Sequence, residues 1–215
     1  MTTVVIAGTG TEIGKTWVTA ELAIALKQRG IAVVARKPVQ SFAPEHDTPT
    51  DAEILGEATV EDPHVVCLPH RWLPRAMAPP IAAEVLESQP FTVADLVAEI
   101  TSNVPSDAIV LVESVGGVRS PLAVDGDTVG LVTELRPALV VLVADAELGT
   151  INLVRLCHDV LLAYRVVVYL NRYESDNEMH VRNHDWLTTR LGLEVVADPE
   201  ALEEIVAELH RAPPR

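Results

Sequence analysis

Six apolar, β-branched runs recur along the chain, at Thr3–Ala7, Ile31–Arg36, Ala108–Glu113, Ala138–Asp145, Val166–Asn171 and Glu194–Ala197. Each is nearly continuous Val, Ile and Leu rather than alternating apolar and polar, the pattern of strands buried on both faces. Between them the spacing changes to that of helices. Trp17–Gln28 places Val18, Leu22, Ala25 and Leu26 on one face, with Gly30 as a stop. Thr92 is a cap for Val93–Ser102, with Asp95 in the first turn. Asn152–Ala163 and Asn177–Leu191 read as further helices, and Pro199 opens a last one to His210. Phe42–Pro80, rich in proline and turn residues, predicts loops and short helices over one end of the sheet. The alternation predicts an α/β fold, a doubly wound, mostly parallel sheet flanked by helices, with residues 1–215 as a single domain.

Composition narrows the class. A chain of 215 residues, 48% apolar and 22% charged, has enough material for one ordinary core. The net charge of −15 argues against nucleic acid and anionic membranes as partners, because both need a basic face. No apolar run reaches the roughly 18 residues of a membrane span, and Met1-Thr2-Thr3 leads directly into the first run, so a cytoplasmic location is expected. Cys67 and Cys157 form neither a disulfide framework nor a Cys-x-x-Cys metal pattern.

The charge is uneven. Residues 1–40 hold Lys15, Lys27, Arg29, Arg36 and Lys37 against only Glu12 and Glu21. Lys15, Lys27 and Lys37 are the only lysines in the chain. Two of them, Lys15 and Lys37, fall where phosphate chemistry is expected, and a compact ammonium suits a phosphate.

Lys15 belongs to the run Gly8-Thr9-Gly10-Thr11-Glu12-Ile13-Gly14-Lys15-Thr16, which follows the first strand and opens the first helix. A strand, a glycine-rich turn and a helix N-terminus make an anion site, since backbone N–H groups and the helix dipole face the phosphates. Lys15 reaches the β- and γ-phosphates in such a loop, and the Thr16 hydroxyl faces Mg2+. The common phosphate-binding pattern has four residues between its glycines, whereas here five separate Gly8 from Gly14.

With this spacing, and with Arg36-Lys37-Pro38-Val39-Gln40-Ser41 after the second strand, the chain resembles the dethiobiotin synthetases. Asp51 in TDAEIL, Ala76-Met77-Ala78-Pro79, Glu113 in VESVGG, Leu148-Gly149-Thr150-Ile151-Asn152 and Asn171 extend the resemblance in order from Thr3 to Asn171. It implies an ATP- and Mg2+-dependent ligase that closes the ureido ring of dethiobiotin on 7,8-diaminononanoate, with CO2 or bicarbonate as the carbon source.

The same resemblance implies roles. Gly10, Thr11, Glu12, Ile13, Gly14, Lys15, Thr16, Trp17 and Asn171 would hold the nucleotide, with Asn171 at the adenine. Thr16, Asp51 and Glu113 would hold the metal, although Asp51 also suits a helix cap. Lys37, Lys15 and Thr11 would serve the reacting groups. Ser41, Gly116, Gly117 and the segment Gly149, Thr150, Ile151 and Asn152 would meet the substrate. In the family that last segment comes from a neighbouring subunit, which implies a homodimer, while Gly149 with an Asn152 cap would equally make an ordinary turn.

Ser114 and Val115 stand where the family usually has Gly-Ala, and Leu153 where a histidine often follows. Ala197-Asp198-Pro199 lacks the usual nucleotide-loop form. The alternative reading is a P-loop ATPase switch of the partition type, or a regulatory nucleotide-binding paralogue. The switch proteins carry a signature lysine early in the loop, where this chain reads Gly-Thr-Gly-Thr. His180 and His184, Trp17, Trp72 and Trp186, and the acidic run Glu200–Glu208 read as a solvated helix face, packing residues and a polar helix face, respectively.

Overall fold

The computed structural model describes residues 1–45 and 48–211. Six parallel strands form the main sheet: β1 (Thr2–Gly8), β2 (Val33–Arg36), β3 (Ile109–Glu113), β4 (Leu139–Asp145), β5 (Val166–Asn171) and β6 (Val195–Val196). Their order across the sheet is β6-β5-β4-β1-β3-β2. All six predicted runs are strands, trimmed or extended by a residue or two at their ends. Nine α-helices accompany them among the described residues: α1 (Lys15–Gln28), α2 (Asp51–Thr59), α3 (Pro63–Val66), α4 (Pro79–Val85), α5 (Val93–Thr101), α6 (Thr128–Leu135), α7 (Thr150–Asp159), α8 (Glu178–Asp185) and α9 (Pro199–Arg211).

Strand side chains alternate between two cores, as a period of two requires. Val4 and Ile6 of β1 join Leu111 and Val141 under α1, α2 and α9. Val5 and Ala7 join Val112, Val140 and Leu142 under α5, α6 and α7. Leu111 and Leu142 are fully buried, each worth about 1.5–3 kcal/mol in area removed from water. The register brings the strand ends together: Ile6 lies opposite Glu113, Gly8 opposite Val143, and Asp145 opposite Asn171. The turns after β1, β2, β3, β4 and β5 therefore open on one edge, where ligands bind in such sheets.

Local chemistry explains the helix starts. Thr92 and Asp95 form a capping box for α5, and Thr50 and Glu53 do the same for α2. The proline-rich stretch supplies α2, α3 and the short α4. Helix α6 and the hairpin before it, Pro121–Ala123 against Gly126–Asp127, have no counterpart among the predicted elements. Helix α7 starts at Thr150 with Gly149 as its cap, not at Asn152, whose side chain is exposed.

Three further expectations need correction. His180 is buried at 2% exposure, its Nδ1 accepting the Glu174 amide, so the helix face it occupies is packed rather than solvated. Glu203 is buried and ion-paired to Arg29, taking one acid out of the polar face of α9. Trp17 and Trp186 are each 49% exposed, whereas Trp72 packs on Phe42 and His64. Cys67 and Cys157 are free and buried. Among the described residues no helix is long and apolar enough to cross a membrane.

Candidate functional site

Gly14 caps α1 at φ +89, a backbone that favours glycine. A Cβ there would also lie 2.1 Å from Asn171 Nδ2. The loop before it is braced from three sides. Lys15 Nζ donates back to Gly10 O at 2.9 Å, Asn171 Nδ2 donates to Ile13 O at 2.9 Å, and Arg172 Nη2 donates to Glu12 O at 3.1 Å. Gly8 leaves room for the Lys15 stem, since a Cβ there would sit 2.9 Å from Lys15 Cδ. Lys15 is 7% exposed. Burial, with help from the nearby Lys37 cation, lowers its ammonium to about 8.

At the ends of β2 and β3 a charged cluster meets this loop. Lys37 Nζ lies 2.6 Å from Asp51 Oδ2 and 2.6 Å from Glu113 Oε1. Thr16 Oγ1 is 2.9 Å from Asp51 Oδ1 and 3.0 Å from Glu113 Oε1. The hydroxyl has one proton, so it donates to one carboxylate at a time. Burial works against the Lys37 charge, but Glu113 and Asp51 outweigh it and hold the ammonium above the usual lysine range. Lys37 holds Asp51 below its usual range. Burial pushes the Glu113 carboxyl up, against the pull of Lys37. Asp51 is the first residue of α2 and Thr50 is the cap, so Asp51 is not serving as a helix cap.

Glu113 is fully buried, and its Oε2 has no hydrogen-bond partner among the described residues. An orphaned carboxylate oxygen beside a hydroxyl and a second carboxylate fits Mg2+, which uses one or two carboxylates and completes its shell with phosphate and water. Among the described residues no group of three or more His, Cys, Asp or Glu gathers into an all-protein metal cage.

The remaining predicted residues fall into four places. Gly116 and Gly117 press on the first half of the loop: a Cβ on Gly116 would lie 3.7 Å from Thr11 Oγ1, and one on Gly117 would lie 3.4 Å from Thr9 O. Ser41 borders a polar cavity of about 160 Å3 that Asp51 also lines. Trp17 and Asn171 line a larger cavity, about 630 Å3, with Gly14, Tyr173, Ala197 and Pro199. Asn171 gives one N–H to Ile13 O, which leaves its Oδ1 and its second N–H for a ligand. Gly149, Thr150, Ile151 and Asn152 stand apart: among the described residues no side-chain hydrogen bond or ion pair joins them to Lys15, Lys37 or Glu113.

Arg172 is the residue that sequence reasoning missed. It follows Asn171 with φ +56 and joins Glu12 O to the Asp145 carboxylate. Its signal in the sequence is only its place directly after a strand end.

Comparisons with known proteins bear on the family and the fold. A family model described as an AAA domain matches residues 2–208. The ATP-dependent dethiobiotin synthetase of Methylobacterium nodulans is 37% identical over 162 residues, 71% of each chain. That of Haloferax mediterranei is 34% identical over 197 residues, 90% of this chain and 82% of the relative. Among solved structures, a cobyrinic acid a,c-diamide synthase from Mycobacterium smegmatis superposes with a TM-score of 0.56 at 16% identity, covering 98% of this chain and 95% of that one. A plasmid partition protein from Borrelia burgdorferi gives 0.57 at 10% identity, covering 97% and 96%. Likeness at such low identity speaks for the P-loop fold alone, whereas the sequence relatives are specific. The chain belongs to the dethiobiotin synthetase family of P-loop proteins.

Proposed function

We propose that this chain is an ATP-dependent dethiobiotin synthetase, and that its residues 1–215 act as one P-loop domain in the cytoplasm. The observation that carries the reading is the buried Lys37 ammonium, 2.6 Å from both Asp51 and Glu113, beside a complete phosphate-binding loop. A switch ATPase has use for the loop; a second buried cation at the phosphate end suits a substrate that is itself an anion.

In the reaction one amine of 7,8-diaminononanoate bonds to the carbon of CO2 and releases a proton, giving a carbamate. A carbamate oxygen attacks the γ-phosphorus of ATP and ADP leaves. The second amine then attacks the carbonyl carbon of the carbamic–phosphoric anhydride, phosphate departs, and the cyclic urea remains. Positioning and fixed charge do most of the work in such transfers.

Each residue has a part. The backbone of residues 12–16 and Lys15 take the phosphates, and the base enters the 630 Å3 cavity, where Asn171 Oδ1 accepts from an amino group. Thr16, Asp51 and Glu113 would hold Mg2+, which neutralises phosphate charge when bound. Lys37 donates to the carbamate and the transferring phosphoryl group, and its raised pKa keeps it charged throughout. Thr11 and Ser41 donate to the substrate, and Gly116 and Gly117 admit it beside the loop. The segment Ala146–Asn152 completes the site of a second copy and receives the carboxylate tail, making a homodimer. The exposed Leu148, at 87%, supports that role, because nothing among the described residues covers it.

Phosphate release from MgATP, followed with and without diaminononanoate and bicarbonate, tests the reading. Release that needs both compounds, with a product of the mass of the cyclic urea, is expected. Release that ignores them, or answers only to a protein partner, overturns it.

A further inference from the structure

The end of β5 grips two neighbouring turns at once. Asn171 O accepts the Ala146 amide, and Asn171 Nδ2 donates to Ile13 O. One residue on, Arg172 Nη1 donates to Asp145 Oδ2 and Nη2 donates to Glu12 O. Asp145 is the last residue of β4, and its Oδ1 accepts the Glu147 amide at 3.4 Å. A guanidinium serves both partners because its donors form a fixed planar fork, whereas an ammonium is a single point. Glu12 and Arg172 both sit in the left-handed region, at φ +60 and +56, which residues other than glycine keep only where their surroundings hold them.

These contacts set the direction of the loop amides. No peptide bond is cis among the described residues, and in a planar trans peptide the C=O and the next N–H point opposite ways. Arg172 and Asn171 hold the Glu12 and Ile13 carbonyls toward β5, so the N–H groups of Ile13 and Gly14 are turned away from it. β5 lies on one side of β1, while β3 and β2, which carry Glu113 and lead into Lys37, lie on the other. Among the described residues those two amides have no backbone acceptor. Two free donors turned away from β5 at a helix N-terminus are suited to an anionic phosphate chain.

We propose that Arg172, held by Asp145, is a positioning residue for the nucleotide: by pinning the Glu12 carbonyl it keeps the Ile13 N–H turned to the phosphates. The inference deepens the synthetase reading and rests on its nucleotide-holding part alone. The guanidinium acts through the loop and not by touching a phosphate.

Three substitutions separate this role from its rivals, read by calorimetric titration of the full chain with MgADP and by ligand-observed NMR with adenosine. Arg172→Ala should weaken MgADP about tenfold, the low end for a hydrogen bond to a charged group. Adenosine, which has no phosphate for the amides to meet, should bind within about twofold of wild type. Arg172→Lys keeps the charge without the fork and should lose nearly as much as alanine. Asp145→Asn keeps an oxygen for the Glu147 amide but loosens the guanidinium. It should weaken MgADP about threefold, and add nothing in the Arg172→Ala background. Thermal unfolding should stay near wild type throughout, because exposed ion pairs add little to stability. Full rescue by lysine would mean that charge alone draws in the phosphates. Tighter MgADP binding in Asp145→Asn would mean that Arg172 binds them directly. Either result overturns the assignment, as does wild-type MgADP affinity in Arg172→Ala or an equal loss for adenosine. A wild-type chain that binds no MgADP overturns the nucleotide reading itself, and this assignment with it.

Discussion

Two turns at the same edge of the sheet use one backbone device for different ends. After β1 the chain passes through Gly14 at φ +89 into α1; after β4 it passes through Gly149 at φ +97 into α7. The first turn is closed on itself. Asn171, Arg172 and Lys15 each occupy one of its carbonyls, and no side-chain atom would fit at Gly14. The second is open. Among the described residues nothing lies within 4 Å of a Cβ built on Gly149, Leu148 is 87% exposed, and the buried Thr150 hydroxyl lacks a partner. A turn that its own chain completes can bind a small ligand alone. A turn left incomplete is arranged to be finished by something else, in the reading above a second copy and its substrate.

The sharpest way to break that contrast is to add one methyl to each glycine. Gly14→Ala meets both a backbone that costs about 1–3 kcal/mol without glycine and an overpacked contact of about 1–3 kcal/mol against Asn171. Nucleotide affinity should fall about 10³-fold by fluorescence titration, in line with those terms. Gly149→Ala carries the backbone term only and should leave nucleotide affinity within about threefold. Equal losses in both variants would mean that the two turns are not differently built.

Charge separates the turns further. The first faces Lys37, Asp51 and Glu113; among the described residues the second has beside it only the Arg172–Asp145 pair and the Glu147–His180 contact. Lys37→Gln should slow turnover about 10²–10³-fold, the scale for one preorganised donor, with ATP affinity nearly intact. It also strands Glu113, and removing one partner of a buried pair costs about 3–5 kcal/mol. Adding Glu113→Gln should restore much of that stability in thermal unfolding but none of the turnover. Recovery of both together would make Lys37 a structural counter-ion only.

How far the sequence carried this picture follows the same divide. Strand runs buried on both faces were legible because continuous Val and Ile has one use in an α/β chain, and the phosphate loop because few other arrangements need Gly-Lys-Thr after a strand. Lys37 and Glu113 were found as strand-end residues, but their meeting depends on β2 and β3 being neighbours, which no local pattern states. Helix α6 was missed because Val129, Gly130 and Val132 favour strand or turn by propensity, and Asp127 as its cap decides otherwise. His180 was misjudged because charged neighbours at helical spacing suggested water, whereas a backbone amide from Glu174 fills its ring nitrogen. Arg172 had only its place after a strand end as a signal: a guanidinium that bridges Glu12 O and Asp145 exists only once distant segments are in place.

The open turn can be tested at Leu148. An exposed side chain contributes within about 0.5 kcal/mol to the stability of its own chain, so Leu148→Asp should leave thermal unfolding of the monomer unchanged. If a second copy covers it, burying a leucine is worth about 1.5–3 kcal/mol, and self-association should weaken about 10–100-fold by sedimentation. Turnover should then depend on protein concentration. Unaltered association would leave Leu148 outside any contact between copies and remove the reason for calling this turn incomplete.

The smallest effect belongs to Lys15, and it should be confined to the first turn. Burial lowers its ammonium from 10.5 to about 8. The unfolded chain therefore keeps this proton up to about pH 10.5 while the folded chain loses it from about pH 8, so its penalty on stability is full below pH 8 and relieved as the pH rises through that window. Nucleotide binding has the opposite sign. Phosphate needs the charged form, so affinity should be flat below pH 8 and weaken by up to about tenfold per unit above it, with one proton taken up on binding. Calorimetry in two buffers of different ionisation enthalpy counts that proton. In Lys15→Arg the guanidinium stays charged, so the slope should vanish even if affinity is lower throughout. A slope that survives the substitution would belong to another group, and the buried ammonium that distinguishes this turn from its neighbour would not be the one that senses the phosphate.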